Sequence, residues 1–263
     1  MTAPTVVSID GVLVPPEAAT ISVLDRGLLY GDGLFDVLRT HAGRRVDGAR
    51  HVERMQASAR TLGLTVPPLA PLLDAAIQAA GPGDHKVRVI ATRGPLGATA
   101  GRTIIIVEPL PPQPTQLALA IVDLPLASRS GAGHKTLAYL DHLRAKELAR
   151  LAGADEAVRL DAEGLVCEGA TSNLFIVVDD AVLTPPVTTG ALPGIVRARV
   201  LELWPVRVQP LEVADLLGAD EIFATSSLRG VVPVTRLGTA SLAVGPVTTK
   251  IMAAYDAWLR APG

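Results

Sequence analysis

The sequence predicts an α+β protein of two domains, a smaller N-terminal α/β domain and a larger C-terminal β-rich domain with flanking helices. Short strand-like runs outnumber helical stripes along the chain. The tract "PLPPQPTQ" at 109–116 interrupts these patterns near the middle; its prolines remove backbone donors and favour an extended connector. A chain of 263 residues, 49% hydrophobic and 19% charged, can bury one large core or two medium ones. The expected division is 1–112, a linker at 113–118, and 119–263 carrying the lysine discussed below.

The elements follow in order. Residues 5–14 read as two strands around a turn at Asp10-Gly11. Leu34 to Thr40 reads as a strand ending at Ala42-Gly43. Val52, Met55, Ala59 and Leu62 form a helical stripe that Gly63 stops. A second helix is expected from Leu69 to Ala80, then strands in "KVRVIATRG" and "TIIIVEPL". Past the linker, "LALAIVD" is a strand, 128–134 a polar loop, and 136–152 a helix ended by Gly153. Strands are expected at 156–160, 173–178 and 181–184, and a helix at 192–204 with Pro193 in its first turn. "EIFAT", residues 231–234 and a closing helix with Ile251, Tyr255 and Trp258 on one face complete the reading.

Composition narrows the function. A net charge of −2 with scattered Lys and Arg makes no electrostatic case for nucleic acid or an anionic membrane surface. Aromatic residues, at 3%, are too few for base-stacking platforms. The single cysteine, Cys167, rules out an intrachain disulfide framework and a cysteine metal cluster, and fits a reducing compartment. The histidines show no metal-ligand spacing. The N-terminus carries no signal-peptide pattern and the apolar runs are too short to span a bilayer, so a cytoplasmic protein is expected.

Two residues in "GHKTLAYL" and "CEGATSNLF" carry the chemistry. Lys135 stands at the start of a helical pattern, where the macrodipole repels a cation and would favour a nucleophilic amine. Glu168 sits among Cys167, Gly169 and Ala170, where burial is costly unless the carboxylate is paired. A protonated pyridine nitrogen is one such partner. Gly194, Ile195 and Val196 open a helix whose first N–H groups can meet an anion, and Thr225, Ser226 and Ser227 offer hydroxyls beyond a strand end. Arg54 falls off the apolar stripe of its helix, which a solvated arginine would also do.

With these residues in place the sequence resembles the class IV aminotransferases, the fold-type IV pyridoxal phosphate enzymes. The match runs from "DRGLLYGDGLFDVLRT" through "HVERMQASA", "HKTLAYL", "CEGATSNLFIV" and "LPGIVR" to "TSSLRGVVPV". The resemblance implies pyridoxal 5'-phosphate as cofactor, Lys135 as its covalent partner and Glu168 as the carboxylate on its pyridine nitrogen. Arg54, Ile195, Val196 and Ser227 match the phosphate contacts. Tyr139 falls where some members set a tyrosine by the phenolic oxygen, although a helix core would also place it. The resemblance also implies a homodimer.

The subfamily is read from the substrate residues. Ala98 and Ala100 stand where D-amino acid aminotransferases carry an arginine and histidine trap. Arg39 and Arg93 line up with arginines of branched-chain enzymes, Phe35 is expected beside them, and Val37 replaces a glycine of that pocket. Arg129 is a further carboxylate candidate. An aminotransferase joining an amino acid and a 2-keto acid is the leading expectation. A 4-amino-4-deoxychorismate lyase is the alternative, and Pro193 favours the former.

Overall fold

The structure, a computed structural model, describes residues 5–124 and 132–261; Arg129 and most of the polar loop lie outside these. The chain forms two compact units, Met1–Pro112 with His134–Tyr139, and Gln113–Gly133 with Leu140–Gly263. The segment bearing Lys135 thus belongs with the first unit, whereas the sequence expectation grouped it with the C-terminal domain.

The first unit contains β1 (Val6–Ile9), β2 (Val12–Val14), α1 (Arg26–Tyr30), β3 (Gly33–His41) and β4 (Arg44–Arg45). Helices α2 (Gly48–Leu62) and α3 (Leu69–Ala80) and strands β5 (His85–Thr92) and β6 (Thr103–Pro109) complete it. Its antiparallel sheet has the order β2-β1-β6-β5-β3-β4. Asp10 and Gly11, at φ 52° and 86°, make the two-residue turn that matches the twist of β1 and β2. Alternation along β3 sends Leu34 and Leu38 into a core with Met55, Ala59, Val87 and Val89. Asp36 shares that buried face, while Phe35, Val37 and Arg39 point to the other.

The second unit comprises β7 (Leu117–Ile121), α4 (Leu140–Leu151), β8 (Glu156–Leu160), β9 (Val166–Gly169), β10 (Asn173–Val178) and β11 (Ala181–Thr184). It continues with α5 (Ile195–Leu203), β12 (Val206–Val208), α6 (Val213–Leu217), β13 (Glu221–Ser226), β14 (Gly230–Leu237), β15 (Ala240–Ser241) and α7 (Pro246–Arg260). The mixed sheet runs β12-β11-β10-β13-β14-β7-β8-β9, with β15 on β14. Its strands are buried on both faces: Leu174 and Ile176 enter one core, and Phe175 and Val177 another that includes Ile251 and Tyr255 of α7. This double burial explains why β10 reads as a continuous apolar run rather than an alternation.

Three local expectations differ from the structure. The helix expected at Thr136 begins at Leu140. Before it, Phe35 N–H donates to Lys135 O (2.9 Å), Thr136 bridges Leu34, and Leu137 N–H donates to Gly33 O (3.0 Å). Lys135 therefore lies on an extended segment along β3, and the macrodipole argument does not apply to it. Pro193 precedes the N-cap Gly194 instead of occupying the first turn of α5. Glu168 lies within a short strand, β9, beside Gly169, where the sequence reading expected none.

Candidate active site

In the first unit, backbone pairing with β3 fixes Lys135, and its side chain meets two aromatic rings. Nζ lies 4.6 Å from the Phe35 ring centroid and 5.0 Å from that of Tyr139, within cation–π range. The two rings meet edge to face, 5.0 Å apart and at 89°. Gly33 permits the close approach. A Cβ there would stand 2.5 Å from Ala91 O and 2.6 Å from Leu137 Cδ1. His134 Nδ1 lies 2.9 Å from Ser58 Oγ and ties the start of the segment to α2. Tyr139 stands outside any helix, beside Lys135.

Arg54 is not a solvated helix residue. Its Nε donates to Asp36 Oδ2 (3.1 Å) and its Nη2 to both carboxylate oxygens (2.8 and 2.9 Å). His51 Nδ1 lies 2.9 Å from Oδ1 of the same carboxylate. Burial pushes Asp36 upward, but the Arg54 charge, then His51, and their hydrogen bonds more than reverse this and hold it well below the usual carboxylate range. The pair fixes the guanidinium on the first turns of α2, a fit for a phosphate-facing arginine.

The arginines sort differently from the sequence expectation. Arg93 is committed to its own unit: Nε lies 2.9 and 2.8 Å from the Asp32 oxygens, Nη1 donates to Gly63 O, and Nη2 donates to Leu62 O. It thereby satisfies carbonyls at the C-terminus of α2. Arg39 lies on the Phe35 face, with Nη2 3.5 Å from Asp84 Oδ2. Arg88, which the sequence reading passed over, pairs with Val37 across the ladder and shares that face. Its Cζ lies 5.4 Å from the Phe35 centroid, and it makes no ion pair or hydrogen bond among the described residues. Its alternation with buried Val87 and Val89 was the available signal.

In the second unit Glu168 is buried. Its Oε2 accepts from Leu192 N–H (3.0 Å) and Asn173 Nδ2 (3.5 Å), and His142 Nε2 lies 3.8 Å from Oε1. The solvated-turn reading of this carboxylate is thereby replaced. Ile195 and Val196 open α5, where Ala198 N–H makes a helical bond to Gly194 O. Gly194 must lack a side chain, since a Cβ would collide with the Asn173 carboxamide. Ser227 lies half-buried in the turn between β13 and β14. Thr225, paired with Asn173 across the ladder, has a buried hydroxyl without a partner among the described residues, as does Ser172. Cys167 is buried and its thiol is pushed up to about 12, first by burial and then by Glu168, so it is no nucleophile.

Each unit by itself carries groups that fit pyridoxal phosphate: the first an amine against aromatic rings and an oriented arginine, the second a buried carboxylate and a helix start. No group of His, Cys, Asp and Glu that could hold a metal occurs among the described residues, and no helix there is long and apolar enough to cross a membrane.

The profile described as amino-transferase class IV matches residues 33–237. A putative branched-chain-amino-acid aminotransferase of Methanocaldococcus jannaschii is 33% identical over 92% of this chain and 92% of its own length. An aminodeoxychorismate lyase of Vibrio harveyi is 32% identical over 80% of this chain and 85% of its own. The PLP-bound form of a hypothetical aminotransferase from Mycobacterium tuberculosis superposes with a TM-score of 0.88 at 25% identity, covering 98% of this chain and 99% of that one.

Proposed function

The chain belongs to the class IV aminotransferase family, and from that premise we propose that Lys135 carries the proton chemistry, Glu168 faces the cofactor's pyridine nitrogen, and Arg54, Ile195, Val196 and Ser227 hold its phosphate. The protein is a pyridoxal phosphate-dependent transaminase that moves an amino group between an amino acid and a 2-keto acid. The cofactor, when bound, supplies a protonated ring that draws off the electrons left by a departing α-proton. Lys135 would hold it through its amine, and the same amine would take the proton from the substrate α-carbon. Phe35 and Tyr139 restrict where Nζ can reach and exclude water from it.

The observation that carries the amino-acid reading is the contact of Arg88 and Lys135 with one ring, that of Phe35. A donor carboxylate must be fixed for its α-proton to face the lysine, and Arg88 replaces Arg93 as our candidate, with Arg39 beside it. Arg88→Leu should raise the donor KM by roughly 10- to 100-fold, the worth of one charge-assisted hydrogen bond. Arg39→Ala should do less, because Asp84 already holds that side chain. An unchanged KM for Arg88→Leu in steady-state kinetics would remove it from the site. Glu168→Gln should keep fold and bound cofactor while lowering kcat by roughly 100-fold, since an amide cannot hold the ring nitrogen protonated; full activity would make the carboxylate structural.

The 32% identity of the Vibrio lyase, over 80% of this chain, supports aminodeoxychorismate cleavage as a second reading. The two differ in a half-reaction. A transaminase mixed with an amino acid alone should convert its aldehyde cofactor stoichiometrically to the amine, and a 2-keto acid should restore the aldehyde absorbance. If no amino acid of either hand does this, while aminodeoxychorismate yields 4-aminobenzoate and pyruvate, the lyase reading stands instead. A homodimer is part of the proposal. Val23, Leu24, Leu28, Leu29 and Tyr30 are exposed by 50% or more in and before α1, an apolar surface suited to a second copy. A cytoplasmic setting suits the lone buried thiol.

A further inference from the structure

Arg159, on β8, is fully buried at 0% exposure, and none of its three guanidinium nitrogens has a hydrogen-bond partner among the described residues. A buried charge in that condition opposes folding, so a structural role does not explain it. Its place does. Arg159 is the ladder partner of Glu168 on β9, so the two side chains leave the same face of the sheet at neighbouring positions. Ala157 of that face packs with Ala145 and Ala149 of α4, and His142, one turn earlier on α4, lies 3.8 Å from Glu168 Oε1. Asp161 and Cys167 stand within two residues of the pair. Asp161 Oδ1 accepts from the N–H groups of Glu163 and Leu165, and the Cys167 thiol is held neutral by burial.

We propose that Arg159 is a positioning residue for the Glu168 carboxylate: its buried positive charge keeps the negative charge on the carboxylate and the proton on the cofactor's pyridine nitrogen. The proposal rests on the reading of Glu168 given above. A cation nearer to the carboxylate than to the ring favours the ion pair over return of the proton to the carboxylate, because Coulomb attraction is strong in a buried site. An arginine is suited to this because it cannot lose its own proton. The ring then remains an electron sink at pH values where a lone carboxylate would compete for the proton.

The test joins stability and spectroscopy. R159L should raise the Tm of the apoenzyme, since an unpartnered charge is replaced by an apolar side chain, yet lower kcat by about tenfold or more with little change in KM. In holoenzyme carrying 15N-labelled pyridoxal phosphate, its ring nitrogen resonance should move toward the unprotonated position. R159K, which keeps the charge, should restore kcat and the resonance. R159Q, closer in size to arginine, gives the same reading if the leucine variant does not fold. A variant with lowered apoenzyme Tm and an unmoved resonance would make Arg159 structural and overturn the proposal. E168Q separates the two levels. If it moves the resonance and R159L does not, only the arginine's role falls; if neither moves it, the placement of Glu168 falls too.

Discussion

Lys135→Ala should leave a folded protein that still takes up pyridoxal phosphate without covalent attachment but turns over roughly a thousandfold or more slowly. Folding should survive because the segment is held by backbone bonds, Lys135 O to Phe35 N–H and Leu137 N–H to Gly33 O, and not by the amine. The loss should be large because two functions go together. On the proposed reading Nζ both attaches the cofactor and moves the proton, beside the rings of Phe35 and Tyr139. Stopped-flow measurement of the amino-acid half-reaction checks this. A loss of less than about tenfold would mean that another base moves the proton.

Arg54→Ala should be the most destabilising of the site substitutions, because it leaves the Asp36 carboxylate buried without its main partner. Breaking one side of such a pair costs about 3 to 5 kcal/mol. The pH dependence follows from the sign of the shift. Asp36 is held below the usual carboxylate range in the folded protein, so its contribution is fully present above the unfolded-state value and is lost as pH falls through the lower folded value. Wild type and variant should therefore differ most at neutral pH and converge in strong acid, as urea titrations at several pH values would show. The double variant Arg54→Ala, Asp36→Asn separates structure from cofactor binding. It should recover much of the stability, yet still bind pyridoxal phosphate weakly if the arginine also holds the phosphate. Recovery of both would confine Arg54 to the ion pair.

Much of this was legible in the sequence for physical reasons. The α2 stripe of Val52, Met55 and Ala59 and the left-handed Gly63 after it are local signals, and the helix ends there. Lys135 stood out for its place before a helical pattern and Glu168 for the cost of burying a lone carboxylate, and Glu168 is indeed buried. What escaped depended on contacts distant in sequence. Pairing with β3 overrode the helical pattern after Lys135. The commitment of Arg93 to Asp32, Leu62 and Gly63 joins segments some thirty to sixty residues apart, and no local pattern reveals it. The strands in "KVRVIATRG" and at 156–160 were read without a role for Arg88 or Arg159, since alternation alone does not tell a charged face in water from one lining a site.

The central claim is that one lysine of this chain carries the cofactor. The sequence holds Lys86, Lys135, Lys146 and Lys250. Reducing the purified holoenzyme with borohydride, digesting it and mapping the modified peptide by mass spectrometry should place the pyridoxyl phosphate adduct on Lys135 alone. An adduct on Lys86, Lys146 or Lys250, or a protein that gives none while remaining active, would contradict the account.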